Sequence, residues 1–266
     1  MTDVRTVRAD LMAEQDALDL VVADLGEEAW ARPTPSPRWS VADQIAHLAY
    51  FDRAAATAIT DPDGFAALRD ELFANFGGGD EEIDRLTLEP HRSLPPAELL
   101  DHWREGRRML ADGADGLDDA TRVEWYGPSM GAMSFLTARL MECWAHGQDV
   151  VDAVGGERPA TDRLRHVAQL GVITRGWSYV NRGEEPPPGE IRVRLVAPSG
   201  DEWTWGPEDA PASVDGGAED FCQVVTQRRH VDDTDLAVEG EAARNWLARA
   251  QAFAGPATDG PAARGT

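Results

Sequence analysis

The sequence predicts a mainly α protein: a four-helix bundle followed by a small α+β unit. Three observations carry this reading. Four long segments in the first 155 residues place apolar side chains at helical spacing. Beyond residue 190 the period shortens to alternation, as in Ile191-Arg192-Val193-Arg194-Leu195. Between the two regimes stands Glu185-Pro186-Pro187-Pro188-Gly189, which reads as a linker. The expected division is a helical bundle with an extra helix over 1–184, an α+β unit over 190–255, and a disordered Gly/Pro/Ala-rich tail over 256–266.

The first helix spans about Val4–Leu25, with Val7, Leu11, Leu18, Val21 and Val22 on one stripe. Pro33 to Pro37 end that region, because proline lacks a backbone donor and clashes with the preceding turn. Ser40 reads as an N-cap and Asp43 as its first-turn acid, opening a helix from Val41 to about Ile59. A shorter helix over about Phe65–Phe76 leads to Gly77-Gly78-Gly79 and the acids Asp80, Glu81 and Glu82, which read as a solvated loop. Pro95-Pro96 start a helix through Leu100, Trp103 and Leu110 to about Ala114. A fourth runs from about Ala132 to Val154 and stops at Gly155-Gly156. A fifth covers about Thr161–Val180. Ser199-Gly200-Asp201 turns the alternating strand into Trp203-Thr204-Trp205, a hairpin. A helix at about Ala218–Thr226, a strand at Leu236–Val238 and a helix at Ala242–Phe253 follow.

Charge narrows the function. The 266 residues carry 48 acids and 25 bases, all of the bases arginine, for a net charge of −23. Such a chain repels phosphate backbones, so no nucleic-acid partner is expected. Without lysine there is neither a Schiff-base lysine nor a P-loop lysine. No apolar run reaches the about 18 residues of a membrane span, and no membrane partner is expected. The first residues lack a signal peptide's apolar core, and Cys143 and Cys222 are the two cysteines; both features fit a reducing cytoplasm. A monomer or a homodimer is expected.

One arrangement could carry chemistry. Glu142 and His146 stand at i and i+4 on the fourth helix, on one face and separated by a rise of about 6 Å. They flank the apolar stripe of Leu136, Leu140, Val150 and Val154, and His47 likewise borders an apolar face. Glu98 and His102 repeat the spacing on a solvated face and serve as an internal control. From pattern alone two readings stand: a chelating set, or a surface Glu–His pair beside an unrelated histidine. Cys143 points about 100° from Glu142 and reads as a packing residue. Asp149 reads either as a partner of His146 or as a solvated acid. The tryptophans Trp39, Trp103, Trp125, Trp144 and Trp177 read as core or seam fillers, with Trp39 also placed to staple a helix entry.

Two segments add a family likeness over roughly residues 1–155. Pro35-Ser36-Pro37-Arg38-Trp39-Ser40-Val41-Ala42-Asp43-Gln44-Ile45-Ala46-His47-Leu48 resembles the stretch leading to the first metal histidine of DinB-like proteins. Glu142-Cys143-Trp144-Ala145-His146-Gly147-Gln148-Asp149 resembles the E-x-x-x-H-G-x-D motif of the mycothiol-dependent maleylpyruvate isomerase family within that group. The resemblance implies a DinB-like four-helix bundle whose His47, Glu142 and His146 bind a divalent metal. Zinc is the family's usual ion, although two histidines and a carboxylate also suit iron, nickel or manganese. It further implies an open coordination position and mycothiol as cosubstrate. The second half is more loosely similar to a sterol-carrier-like domain, in which an arginine after the helix faces the metal cleft. Here that arginine is Arg228, in Val224-Val225-Thr226-Gln227-Arg228-Arg229, with Gln227 where the family often has glycine. The same pair also reads as an exposed basic surface.

These readings imply an isomerase or S-transferase that uses a metal and a low-molecular-weight thiol on a small electrophile, one that can carry a carboxylate for Arg228 to bind. The alternatives are a hydrolase or lyase using metal-activated water, and a non-catalytic protein that binds metal or a small ligand.

Overall fold

The computed structural model describes residues 3–75 and 79–265. Among these the protein is mainly α-helical, with one small and one four-stranded sheet. Two compact units meet at the Arg158–Pro159 bond: Met1–Arg158 and Pro159–Thr266. No helix of the described residues is long and apolar enough to cross a membrane.

The first unit is built on four long helices: α1 (Val4–Val22), α3 (Val41–Thr60), α7 (Pro96–Ala114) and α8 (Ala132–Val154). Each starts and stops where local chemistry dictates. Asp3 caps α1 by accepting from the Thr6 amide. At α3, Ser40 accepts from the Asp43 amide while the Asp43 carboxylate takes the Ser40 amide, a reciprocal capping box. Pro96 opens α7, where a missing amide hydrogen costs nothing. Gly155, at φ +67°, closes α8 in a left-handed conformation that glycine adopts without strain. α3 packs mainly on α7 and α1 mainly on α8, with α3 also against α8. The seam buries Leu18, Val22, Ile45, Leu48, Leu99 and Trp103. Each such side chain contributes about 1.5–3 kcal/mol when fully withdrawn from water.

Shorter elements complete this unit: α2 (Glu27–Trp30), α4 (Pro62–Ala74), α5 (Gly79–Thr87), α6 (Glu89–Arg92) and an antiparallel ribbon of β1 (Arg122–Val123) and β2 (Met130–Gly131). Of the loop expected over 77–82, residues 79–82 are helical. Gly77 and Gly78 lie outside the described residues, as does Phe76, but Gly79 already begins α5. The acids Glu81 and Glu82 fall in the first turns of that helix, where they suit its dipole.

In the second unit α9 (Leu164–Ile173) and α10 (Arg175–Val180) replace the single fifth helix. They break at Thr174, whose hydroxyl bonds back to the Leu170 carbonyl. Since α9 packs on α11 (Ala218–Val225), this helix pair belongs to the second unit and not to the bundle. The proline run therefore lies within a unit, tied down by Arg175, which donates to the Pro187 and Gly189 carbonyls. Strands β3 (Ile191–Val196), β4 (Glu202–Trp205), β5 (Ala212–Gly217) and β6 (Ala237–Glu239) form a sheet of order β4-β3-β5-β6. β3 and β4 make the expected hairpin, while β3 pairs parallel with β5, a strand the sequence reading lacks. α12 (Glu241–Leu247) ends before Phe253. Among the described residues the tail forms no helix or strand and is bonded to its own unit through Gln251, Gln227 and Asp233.

Candidate metal centre

Helices α3 and α8 bring His47, Glu142 and His146 together. Among the described residues this is the group of three or more metal-binding side chains whose ligand atoms all lie within 4.8 Å of one another. His47 Nε2 is 3.6 Å and His146 Nε2 is 3.0 Å from the same Glu142 oxygen, Oε2. Bonds of about 2.1 Å in a tetrahedron put neighbouring ligand atoms about 3.4 Å apart, and the observed separations bracket that value. The two imidazole rings lie 4.3 Å apart, centroid to centroid.

The proton of His146 is assigned by its neighbours. Thr34 Oγ1 donates to the Trp39 carbonyl and so accepts from Gln44 Nε2. That orients the Gln44 amide with Oε1 toward His146, 2.6 Å from Nδ1. Nδ1 must carry a hydrogen, which makes Nε2 the nitrogen that faces the Glu142 carboxylate. At 3.0 Å the nitrogen and the carboxylate are placed to share a proton or to hold a cation between them. A divalent cation can take the proton's place, so the residues fit a metal.

Electrostatics agree. Burial pushes the His47 pKa down to about 4, helped by repulsion from His146, so its ring is a neutral donor near pH 7. Burial alone would raise the Glu142 carboxyl, but hydrogen bonds from His146 and His47 outweigh it and hold the group well below the usual carboxylate range. Cys143 is fully buried in the bundle seam, and burial raises its thiol well above the ordinary value; it packs rather than ligates.

The segment before α3 forms one wall. Thr34 donates its amide to the Trp39 carbonyl and Pro33 bridges Ser40, so the chain folds back on itself. Arg38 takes φ +69°, and Asp84 of α5 accepts from both Arg38 and the Trp39 indole. Trp39 is thereby stacked on His146 at 5.8 Å and lies 5.1 Å from His47. It lines the site and, as expected of a seam residue, also packs against the bundle core. Phe51, one turn beyond His47, approaches that ring at 4.6 Å. Trp103 and Trp144 are core residues as expected, whereas Trp177 is 41% exposed.

Asp149 is buried and accepts from Ser36 Oγ at 3.1 Å. Its carboxylate stands 3.8 Å from His146 Nδ1, beyond hydrogen-bond reach, and Gln44 holds that position. Gln44 was missed in the sequence, although it lies one turn before His47 on the same face. The control pair, Glu98 and His102, is exposed on α7 and belongs to no candidate metal-binding group among the described residues.

Arg228 lies in the second unit, just past α11. Gln227 adopts φ +59°, the conformation glycine favours. The Arg228 amide bonds to the Gln223 carbonyl and the Gln227 amide to the Val224 carbonyl, a Schellman closure completed without glycine. Gln227 offsets its strain by donating to the Ala250 and Thr258 carbonyls. The Arg228 guanidinium donates to the Thr226 carbonyl at 2.7 Å, and Arg229 Nε donates to Gln223 Oε1.

Comparison with known proteins gives three findings. Residues 11–151 match the family model of the mycothiol maleylpyruvate isomerase N-terminal domain. Two uncharacterised proteins of Mycobacterium tuberculosis, from strains CDC 1551 / Oshkosh and H37Rv, are each 48% identical over 257 residues, covering 96% of this chain and 98% of theirs. Crystal structures of the mycothiol-dependent maleylpyruvate isomerase and of a histidine-to-alanine mutant of it superpose with a TM-score of 0.58 at 17% identity, covering 91% of this chain and 97% of the other. At that identity the superposition speaks for the fold.

Proposed function

The chain belongs to the mycothiol maleylpyruvate isomerase family, and from that premise we propose that it is a metal- and thiol-dependent isomerase or S-transferase of a small electrophile bearing a carboxylate. The observation that carries this reading is the convergence of His47, Glu142 and His146, with His146 Nε2 turned toward Glu142.

His47, Glu142 and His146 would hold the ion, with zinc as the expected metal. When bound, such an ion lowers the pKa of a thiol or water beside it and polarises a substrate oxygen. The protein's own part is orientation and exclusion. Gln44 engages His146 Nδ1 and orients the ring, so that Nε2 is the nitrogen offered to the ion. Trp39 and Phe51 cover the imidazoles with aromatic surface, which restricts water and strengthens the local electrostatics. In the reaction class, a thiolate adds to an activated double bond of the substrate. Rotation about the resulting single bond, then expulsion of the same thiolate with re-formation of the double bond, gives the isomer; protonation of the enolate carbon with retention of the new C–S bond gives transfer. Arg228 is proposed to bind the substrate carboxylate through its planar fork. Its support is the family resemblance, together with a helix closure that keeps its place after α11 although glycine is absent.

The test is metal analysis of the purified protein, then turnover of an unsaturated dicarboxylate such as maleylpyruvate with and without mycothiol. Turnover that needs both metal and thiol supports the reading. Metal-dependent turnover without thiol would overturn the thiol requirement and favour activated water.

A further inference from the structure

The bundle carries a second buried polar cluster a short distance along the same two helices. Asp52 is on α3, five residues after His47, and Arg139 is on α8, three residues before Glu142. Their side chains are 1% and 4% exposed. Arg139 donates through both Nε and Nη2 to Asp52 Oδ1, at 3.2 and 2.9 Å. The other oxygen, Oδ2, accepts from Gln15 Nε2 of α1 at 3.0 Å and from Trp103 Nε1 of α7 at 3.2 Å. One carboxylate thus receives a donor from each of the other three long helices.

Burial of an ion pair is weak evidence for stability, because desolvation offsets most of the attraction. Its best-attested use is to specify register: a shifted helix leaves a charge in the interior without its partner. Here the helices whose register is specified are those that carry the ligands. A slide of one residue along α8 is about 1.5 Å, enough to separate Glu142 and His146 from His47. We propose that Asp52 and Arg139 are positioning residues that lock α3 against α8 at the offset where His47 meets Glu142 and His146. This inference rests on the metal reading above.

The experiment is titration with Co²⁺ alone, followed by visible absorption and by competition with a chelator, alongside urea unfolding. The proteins are the wild type, Asp52→Asn, Arg139→Lys and Leu110→Ala. Leu110 is a fully buried residue of α7, outside both the cluster and the ligand helices, and its truncation serves as a stability control. Asp52→Asn should weaken Co²⁺ binding at least tenfold and change the shape of the visible bands, and Arg139→Lys should do so to a smaller degree. Leu110→Ala should lose stability while keeping affinity and spectrum. Should Asp52→Asn fail to fold, Arg139→Lys, which keeps the charge, decides by the same two readouts. Wild-type affinity and spectrum in the cluster variants would overturn the positioning role alone. An equal loss in Leu110→Ala would do the same, by assigning the effect to stability in general. Absence of binding by the wild type would overturn the metal reading and this inference with it.

Discussion

Gln44 Oε1 sits 2.6 Å from His146 Nδ1, and this contact decides which nitrogen of the imidazole faces Glu142. Residues that fix a metal-binding histidine in this way are worth 10–100-fold in affinity, by the general behaviour of such partners. Gln44→Ala should therefore weaken Zn²⁺ or Co²⁺ binding by about one to two orders of magnitude. Competition titration against a chelator reads this directly. Affinity equal to wild type would show that the tautomer is set by something other than Gln44.

Removal of a ligand should be more severe. His47→Ala is expected to abolish tight binding while the helical circular-dichroism spectrum persists, since the side chain is partly solvent-exposed at the edge of the seam. Elemental analysis after gel filtration is the check, with full metal occupancy in the variant as the refuting result. Glu98→Ala and His102→Ala, which alter the same spacing on an exposed face, should leave metal content unchanged.

Arg228→Lys keeps the charge but loses the planar two-point donor, so turnover should fall by roughly tenfold or more if the arginine stabilises charge developing on the substrate. Metal content should stay normal. Arg229, engaged with Gln223 Oε1, should tolerate the same change with little effect. Turnover at saturating substrate in both variants decides. Wild-type values in both would leave the pair a surface feature.

Asp19 links α1 to α7 by accepting from Arg104 at 2.6 Å and from Arg107 at 3.0 Å. The Arg104 hydrogen bond lowers its pKa below the ordinary 3.8, against the opposing effect of burial. A depressed folded-state pKa contributes stability above the unfolded value and loses it as the pH falls through the folded one. Asp19→Asn should therefore unfold earlier in urea than wild type at pH 7, and the gap should close once the pH falls below the range of its carboxyl. A gap that is constant with pH would show that packing, not charge, accounts for the difference.

Much of this was readable in the chain itself, because the signals were local. Ser40 with Asp43, Pro95-Pro96 and Gly155 mark helix ends through caps that act over one turn, and α3, α7 and α8 begin and end close to where they indicate. Glu142 and His146 share a face by helical geometry alone. What escaped depends on partners distant in sequence. Gln44 matters because of a residue 102 positions away, and Asp52 because of donors on three other helices. β5 reads Ala-Ser-Val-Asp-Gly-Gly, with little β-branched content, and is a strand because β3 and β6 flank it. The proline run looked like a boundary, yet Arg175 binds its carbonyls, while the division at Arg158–Pro159 carries only the weaker mark of Gly155-Gly156 and Pro159.

The four-donor arrangement at Asp52 also bears on how the bundle comes apart. A subset of helices cannot dock without leaving either a carboxylate or a guanidinium buried and short of partners, a state penalised by several kcal/mol. Partly assembled bundles are thereby raised in energy relative to both the complete bundle and the open chain. The first unit should consequently lose its four long helices in one cooperative step. Native-state hydrogen exchange should find their innermost amides opening with a common free energy and a common denaturant slope, with no helix peeling away ahead of the rest.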